Sequence, residues 1–193
     1  MNRKVLMIVG DYGEDLEIYF PFQALNLLGF QVDAVCPERK KQDKVKTAVH
    51  DFRDGDQTYM ESRGHDFMLN AEFPVDPNQY VGLVLPGGRA PEYLRLHEEV
   101  LAIVEHFLKE KKPIVAVCHG IQLLTAVGGI EGKKLTCYPA CKFEVTKQGG
   151  IYEKVGYDEV VVDGNIVTSP AWPGHANAFR EFVKLLGVTI THK

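Results

Sequence analysis

Apolar and polar positions along the chain follow two alternating periods. Short apolar runs at 4–9, 31–35, 81–85 and 114–117 have the length and β-branched content of buried strands. Segments of helical spacing at 15–28, 92–109 and 121–127 separate or follow them. This rhythm predicts an α/β fold: a doubly wound, mostly parallel sheet sandwiched by helices. Residues 36–46 hold Pro37 and several lysines and arginines, and read as a solvated loop. A Asp54-Gly55 turn signal within 47–73 predicts a hairpin-like excursion before the sheet resumes. A second hairpin is expected from 159–162 and 166–169 around Asp163-Gly164-Asn165, then a last amphipathic helix at 175–186 and a short final strand at 188–190. No repeat, low-complexity run or linker divides the sequence, so residues 1–193 are expected to form one domain.

Composition narrows the classes of function. Twenty-two basic residues against 26 acidic ones give a net charge of -4, which offers no electrostatic footprint for nucleic acid or an anionic membrane. The apolar run after Met1 is too short for a signal-peptide core and no segment is long enough to span a bilayer; the expectation is a soluble, cytoplasmic protein. Cys36, Cys118, Cys137 and Cys141 lack C-x-x-C spacing, and Pro139 argues against a helix that would pair the last two, so reduced structural thiols are expected outside Cys118.

Cys118 stands where the strand at 114–117 turns into a helix. The pattern A-V-C-H-G is a cysteine form of the nucleophile elbow, with Gly120 suited to the tight turn. Placed beside helix N-terminal amides, the thiol is expected to have a lowered pKa. In an open parallel sheet, ligands gather beyond the carboxyl ends of the strands, so the loops there are the place to look for partners. The first, Asp11 to Glu17, is rich in carboxylates. Asp15 or Glu14 reads as a helix cap or a complement to the helix dipole, whereas Glu17 has the phase of Leu16 and Phe20 and is expected to face inward, desolvated, with a raised pKa. The loop after 81–85 contains Gly87-Gly88, whose backbone amides can approach a substrate oxygen; with the His119 amide they are candidates for an oxyanion hole.

These residues resemble the PfpI family of the class I glutamine amidotransferase-like superfamily, with its flavodoxin-like fold. The likeness rests on E-D-x-E followed by P-F-Q-A-L, on L-P-G-G-R-A-P-E-Y-L, on A-V-C-H-G and on T-S-P-A-W-P-G-H. The stretch from T-A-V-H-D-F to E-S-R-G-H-D-F is similar to the plant-type glutathione-independent glyoxalase members, which carry two tandem copies where this chain has one. The resemblance implies Cys118 as nucleophile, Glu17 as the carboxylic acid at the thiol, and His119 as the histidine following the nucleophile. It further implies Glu92 as an acid reaching that histidine across a subunit interface of a homo-oligomer, and His175 as a histidine near the pocket. The implied activity is conversion of small 2-oxoaldehydes to 2-hydroxy acids, without nicotinamide, metal or glutathione. Cysteine peptidase and protein deglycase activities are alternatives associated with the same family, and a cysteine redox sensor or chaperone is a different class of answer. Glutamine amidotransfer is disfavoured because His175 is followed by Ala176 and Asn177, not by the H-x-E spacing it requires.

Overall fold

The computed structural model describes residues 3–191. Its central sheet has six strands: β1 (Lys4–Ile8), β3 (Gln31–Val35), β6 (Tyr80–Leu85), β7 (Ile114–Val117), β10 (Val161–Asp163) and β11 (Ile166–Ser169). They lie in the order β10-β11-β7-β6-β1-β3, all parallel except the β10–β11 hairpin at one edge. The alternation of β1 divides the core. Val5, Met7 and Val9 face a layer holding α1 (Asp15–Leu27) and α6 (His175–Leu185), while Leu6 and Ile8 face α2 (Ala90–Leu94), α3 (Glu98–Lys109) and α4 (Ile121–Val127). Phe182 anchors the first layer and Phe107 the second, each fully buried; a large apolar side chain so placed contributes roughly 1.5–3 kcal/mol.

The excursion after β3 is a long hairpin of β4 (Lys44–Asp51) and β5 (Met60–Met68), antiparallel, with β2 (Gly13–Glu14) parallel to β4 on its other side. This second sheet folds over the carboxyl end of the first. The charged loop therefore ends at Asp43, because Val45 and Phe67 pair across the hairpin and enter the core. A third, two-stranded parallel sheet joins β8 (Lys134–Leu135) to β9 (Ile151–Tyr152) around α5 (Lys142–Lys147), a unit too short to show a periodic pattern in the sequence.

Two further expectations need correction. The helix at 92–109 is two helices: Pro91 opens α2 in its first turn, and His97, extended at φ -99° and ψ 115°, caps α3 with Glu98 and Glu99 in its first turn. Residues 188–190 form no strand. Val188 instead donates its N–H to the Val183 carbonyl and packs on the core beside α6. Among the described residues no helix is long and apolar enough to cross a membrane.

Candidate active site

The parallel strands deliver five loops to one end of the sheet, after β1, β3, β6, β7 and β11. Cys118 follows β7 directly and has φ 57°, the left-handed region that a non-glycine residue occupies only when its surroundings impose it. A 3-10 turn, Cys118–Gly120, separates it from α4. Gly120 packs against the carbonyl end of β6, where an added Cβ would run into the Leu85 carbonyl. The strand-to-helix corner is thus built as the A-V-C-H-G pattern predicts.

Glu17 is 1% exposed, on the inner face of α1. Its neighbours on that face are Ile18, Pro21 and Leu25, not Leu16 and Phe20, which are 45% and 36% exposed. The expected inward orientation is correct, and the phase used to reach it is not: Glu17 shares a stripe with residues one, four and eight positions on. The Gly87 N–H donates to Glu17 Oε2 at 2.7 Å, while Oε1 is buried without a hydrogen-bond partner. Burial, reinforced by the nearby Glu14 carboxylate, pushes the Glu17 carboxyl well above its ordinary pKa of 4.5. Gly87 makes the convergence possible. A Cβ there would stand 2.7 Å from the His119 nitrogen and 2.8 Å from both Cys118 Cβ and Glu17 Oε2, so only glycine lets these three groups meet.

The Cys118 thiol departs from expectation. Burial and the Glu17 carboxylate push its pKa up, whereas the backbone N–H groups of His119 and Gly88 favour the thiolate. The amides oppose the shift without overcoming burial, so the thiol is not free-standing at the mouth of a helix but tied to Glu17. A proton residing on Glu17 removes the repulsion that adds to burial at the thiol, so the two groups titrate as a coupled pair. His119 Nδ1 lies 3.2 Å from Cys118 Sγ. Its ring stacks on Tyr138 at 4.9 Å between centroids, and burial together with the charge of His50 pushes its pKa down to about 4, so it is neutral at pH 7.

The remaining predicted residues fall in different places. Gly88, at φ 71°, and His119 line the cavity above the sulfur, whereas the Gly87 amide is committed to Glu17 and cannot serve a substrate oxygen. Glu92 is exposed on α2, on the outer face beside Arg89 and Tyr93, and makes no hydrogen bond to His119 within the chain. His175 is buried at the start of α6, stacked on Phe20 at 5.2 Å, and does not line the Cys118 cavity; burial pushes its pKa down to about 4.

Sequence reasoning missed the opposite wall. The β4–β5 hairpin brings His50, Phe52 and Tyr59 over the sulfur, and Trp172 closes the side after β11. Glu14 caps α1 through the Leu16 N–H at 3.2 Å, as expected, and its other oxygen binds His50. The V-H-D-F stretch was visible as a motif, but the register that carries His50 to Cys118 depends on hairpin pairing 60 residues away in sequence. About 230 Å³ of space free of atoms, part of it open to solvent, lies against these residues. It is a narrow slot, not a groove for a polypeptide. Among the described residues no cluster of three or more His, Cys, Asp or Glu side chains is arranged to hold a metal ion.

Comparison with known proteins identifies the family and the fold. The profile of the DJ-1/PfpI family matches residues 3–185. The chain belongs to the DJ-1/PfpI family. Among curated relatives, Protein DJ-1 homolog D of Arabidopsis thaliana is 48% identical over 192 residues, covering 98% of this chain and 49% of that protein. Deglycase PfpI of Pyrococcus furiosus is 36% identical over 185 residues, covering 95% of this chain and 99% of that one. The DJ-1 crystal structure from Schizosaccharomyces pombe superposes with a TM-score of 0.73 at 22% identity, over 97% of this chain and 92% of that one, a likeness of fold. The chain spans about half the length of the first plant relatives it matches. A DJ-1/PfpI fold with a mixed, mostly parallel sheet is therefore shown both by the strand order and by these neighbours.

Proposed function

We propose that this DJ-1/PfpI protein converts small 2-oxoaldehydes, with methylglyoxal as the simplest, to 2-hydroxy acids at Cys118. The observation that carries this reading is the buried Cys118–Glu17 pair lining one narrow cavity. The Cys118 thiolate adds to the aldehyde carbon, forming a carbon–sulfur bond, and the carbonyl oxygen takes up the proton held on Glu17, giving a hemithioacetal and leaving Glu17 ionised. The Gly88 and His119 amides, which favour negative charge on the sulfur, are placed to stabilise the oxyanion. Glu17 then removes the proton from the former aldehyde carbon and returns it to the neighbouring carbon through an enediol, leaving a thioester. Water cleaves the thioester, releasing lactate and restoring the thiol. Substrate and one water become product, with no net oxidation and no glutathione.

Glu17 is the better proton carrier of the two candidates. Its raised pKa moves toward working pH, whereas His119 holds a proton only near pH 4. The same contrast weighs against a peptidase, which needs a protonatable histidine at the thiol and a groove for the chain.

A second reading, removal of early glyoxal adducts from protein side chains, is supported by relatives named as deglycases. It uses the same chemistry on a substrate tethered to a peptide. The test is glutathione-free turnover with lactate quantified directly, for free methylglyoxal and for a methylglyoxal-treated peptide, with wild type and Cys118→Ser. Lactate from free methylglyoxal by wild type alone supports the proposal. Lactate released from the modified peptide faster than free aldehyde can account for supports the deglycase reading. Lactate from neither would refute both.

A further inference from the structure

His50 occupies the wall of the Cys118 cavity and is 5% exposed, yet both its ring nitrogens are held by carboxylates. Nδ1 lies 2.8 Å from Glu14 Oε2 and Nε2 lies 2.9 Å from Glu61 Oε2. An ionised carboxylate only accepts hydrogen bonds, so a ring that satisfies two of them must carry a proton on each nitrogen. The backbone fixes this ring further. Its own N–H donates to Glu14 Oε2 at 2.7 Å, and the Trp172 indole donates to its carbonyl at 3.1 Å. Tyr59 presents a ring edge-on at 5.0 Å, and the outer carboxylate, Glu61, is clamped by Arg89 through two bonds of 2.7 and 2.9 Å. The charged groups around His50 are thus Glu14 from β2, Glu61 from β5, Arg89 beyond β6, and the Cys118–Glu17 pair and His119 across the cavity.

We propose that His50 is the electrostatic positioning residue of this site, an imidazolium fixed on both nitrogens whose charge, facing the same cavity as Cys118 and His119, adds to burial in disfavouring a proton on His119 and favours the thiolate at Cys118. Because both N–H groups are committed, His50 offers no hydrogen bond to substrate and acts through its charge alone. The division of labour in which Glu17 moves the proton and His119 does not is reinforced by this charge, and to that extent the inference rests on the proposed reaction. The positive charge itself does not. The same bonds tie β4 to the cap of α1 through Glu14 and, through Glu61 and Arg89, to the loop after β6.

The test reads the charge and the thiol without using an aldehyde. In wild type, the ¹⁵N shifts of the His50 ring at pH 7 are expected to be those of an imidazolium, with both nitrogens protonated. Alkylation of Cys118 by iodoacetamide, followed by peptide mass spectrometry to separate it from the three other cysteines, is expected to slow about tenfold in His50→Gln, the effect of one pKa unit on thiolate. His119 is expected to titrate at higher pH in that variant. Should His50→Gln fail to fold, Glu61→Gln keeps the ring and is expected to lower the pH at which His50 loses its proton by about one unit. A neutral His50 ring at pH 7, an unchanged alkylation rate in folded His50→Gln, or an unmoved His50 titration in Glu61→Gln would each overturn the inference. Failure of the proposed reaction would show instead as an absence of lactate with these readouts intact.

Discussion

Replacing Glu17 by glutamine isolates the proton from the architecture. The Gly87 N–H that donates to Oε2 at 2.7 Å keeps an acceptor in the glutamine carbonyl, and side-chain volume is almost unchanged, so the elbow and the Gly87 loop should stay in place. What is lost is a group able to take and return a proton. Acid–base help of that kind contributes roughly 10²–10⁴-fold, which at about 1.36 kcal/mol per decade is about 2.7–5.4 kcal/mol of barrier. The kcat for lactate formation should therefore fall by about two to four decades, with a much smaller change in KM. Stability should move the other way. Glu17 has a folded pKa raised above 4.5, so the unfolded chain releases its proton first, and wild-type stability declines as pH rises from about 4.5 through the folded value. Glutamine removes that decline. Thermal melts between pH 4 and 8 should show the variant gaining on wild type as pH increases. Turnover within threefold of wild type, or a stability difference independent of pH, would refute the assignment of Glu17 as a buried proton carrier.

Two other substitutions test neighbouring parts of the site. Gly87→Ala would place a methyl group 2.7 Å from the His119 nitrogen and 2.8 Å from Glu17 Oε2; it should cost about 1–3 kcal/mol in urea unfolding and abolish turnover, and a stable, active variant would contradict the packing described. His119→Gln should leave the shape of the pH–rate profile between pH 5 and 9 unchanged, because the histidine titrates only near pH 4, and should reduce kcat less than Glu17→Gln does. Loss of an ionisation from that pH range in His119→Gln would make the histidine the working base.

The parts of this molecule that local pattern dictates were legible in the sequence. β1, β3, β6 and β7 are buried on both faces, so their apolar runs are nearly continuous, and the turn from β7 into Cys118 and Gly120 carries its own signature. Family resemblance added Glu17, whose helical neighbours in sequence gave the right orientation for the wrong reason. The Arg95–His97 break between α2 and α3 was hidden because both helices share one run of helix-forming residues. His50, Glu61 and Arg89 were hidden for a different reason: each lies on a separate element, and only the pairing of β4 with β5 and the docking of that sheet bring them together. The thiol pKa was misjudged because helix amides can be read from a strand–helix corner, whereas the burial and the carboxylate that oppose them come from α1.

The central claim is that a carbon–sulfur bond forms between Cys118 and the aldehyde carbon. Its most direct test is rapid quenching of Glu17→Gln with ¹³C-labelled methylglyoxal, followed by peptide mass spectrometry with Cys118→Ser as the control. Slow proton transfer should let a labelled adduct accumulate on the Cys118 peptide and be absent from the control. Lactate formation by wild type with no label at Cys118 in the quenched variant, or equal lactate from Cys118→Ser, would contradict the account.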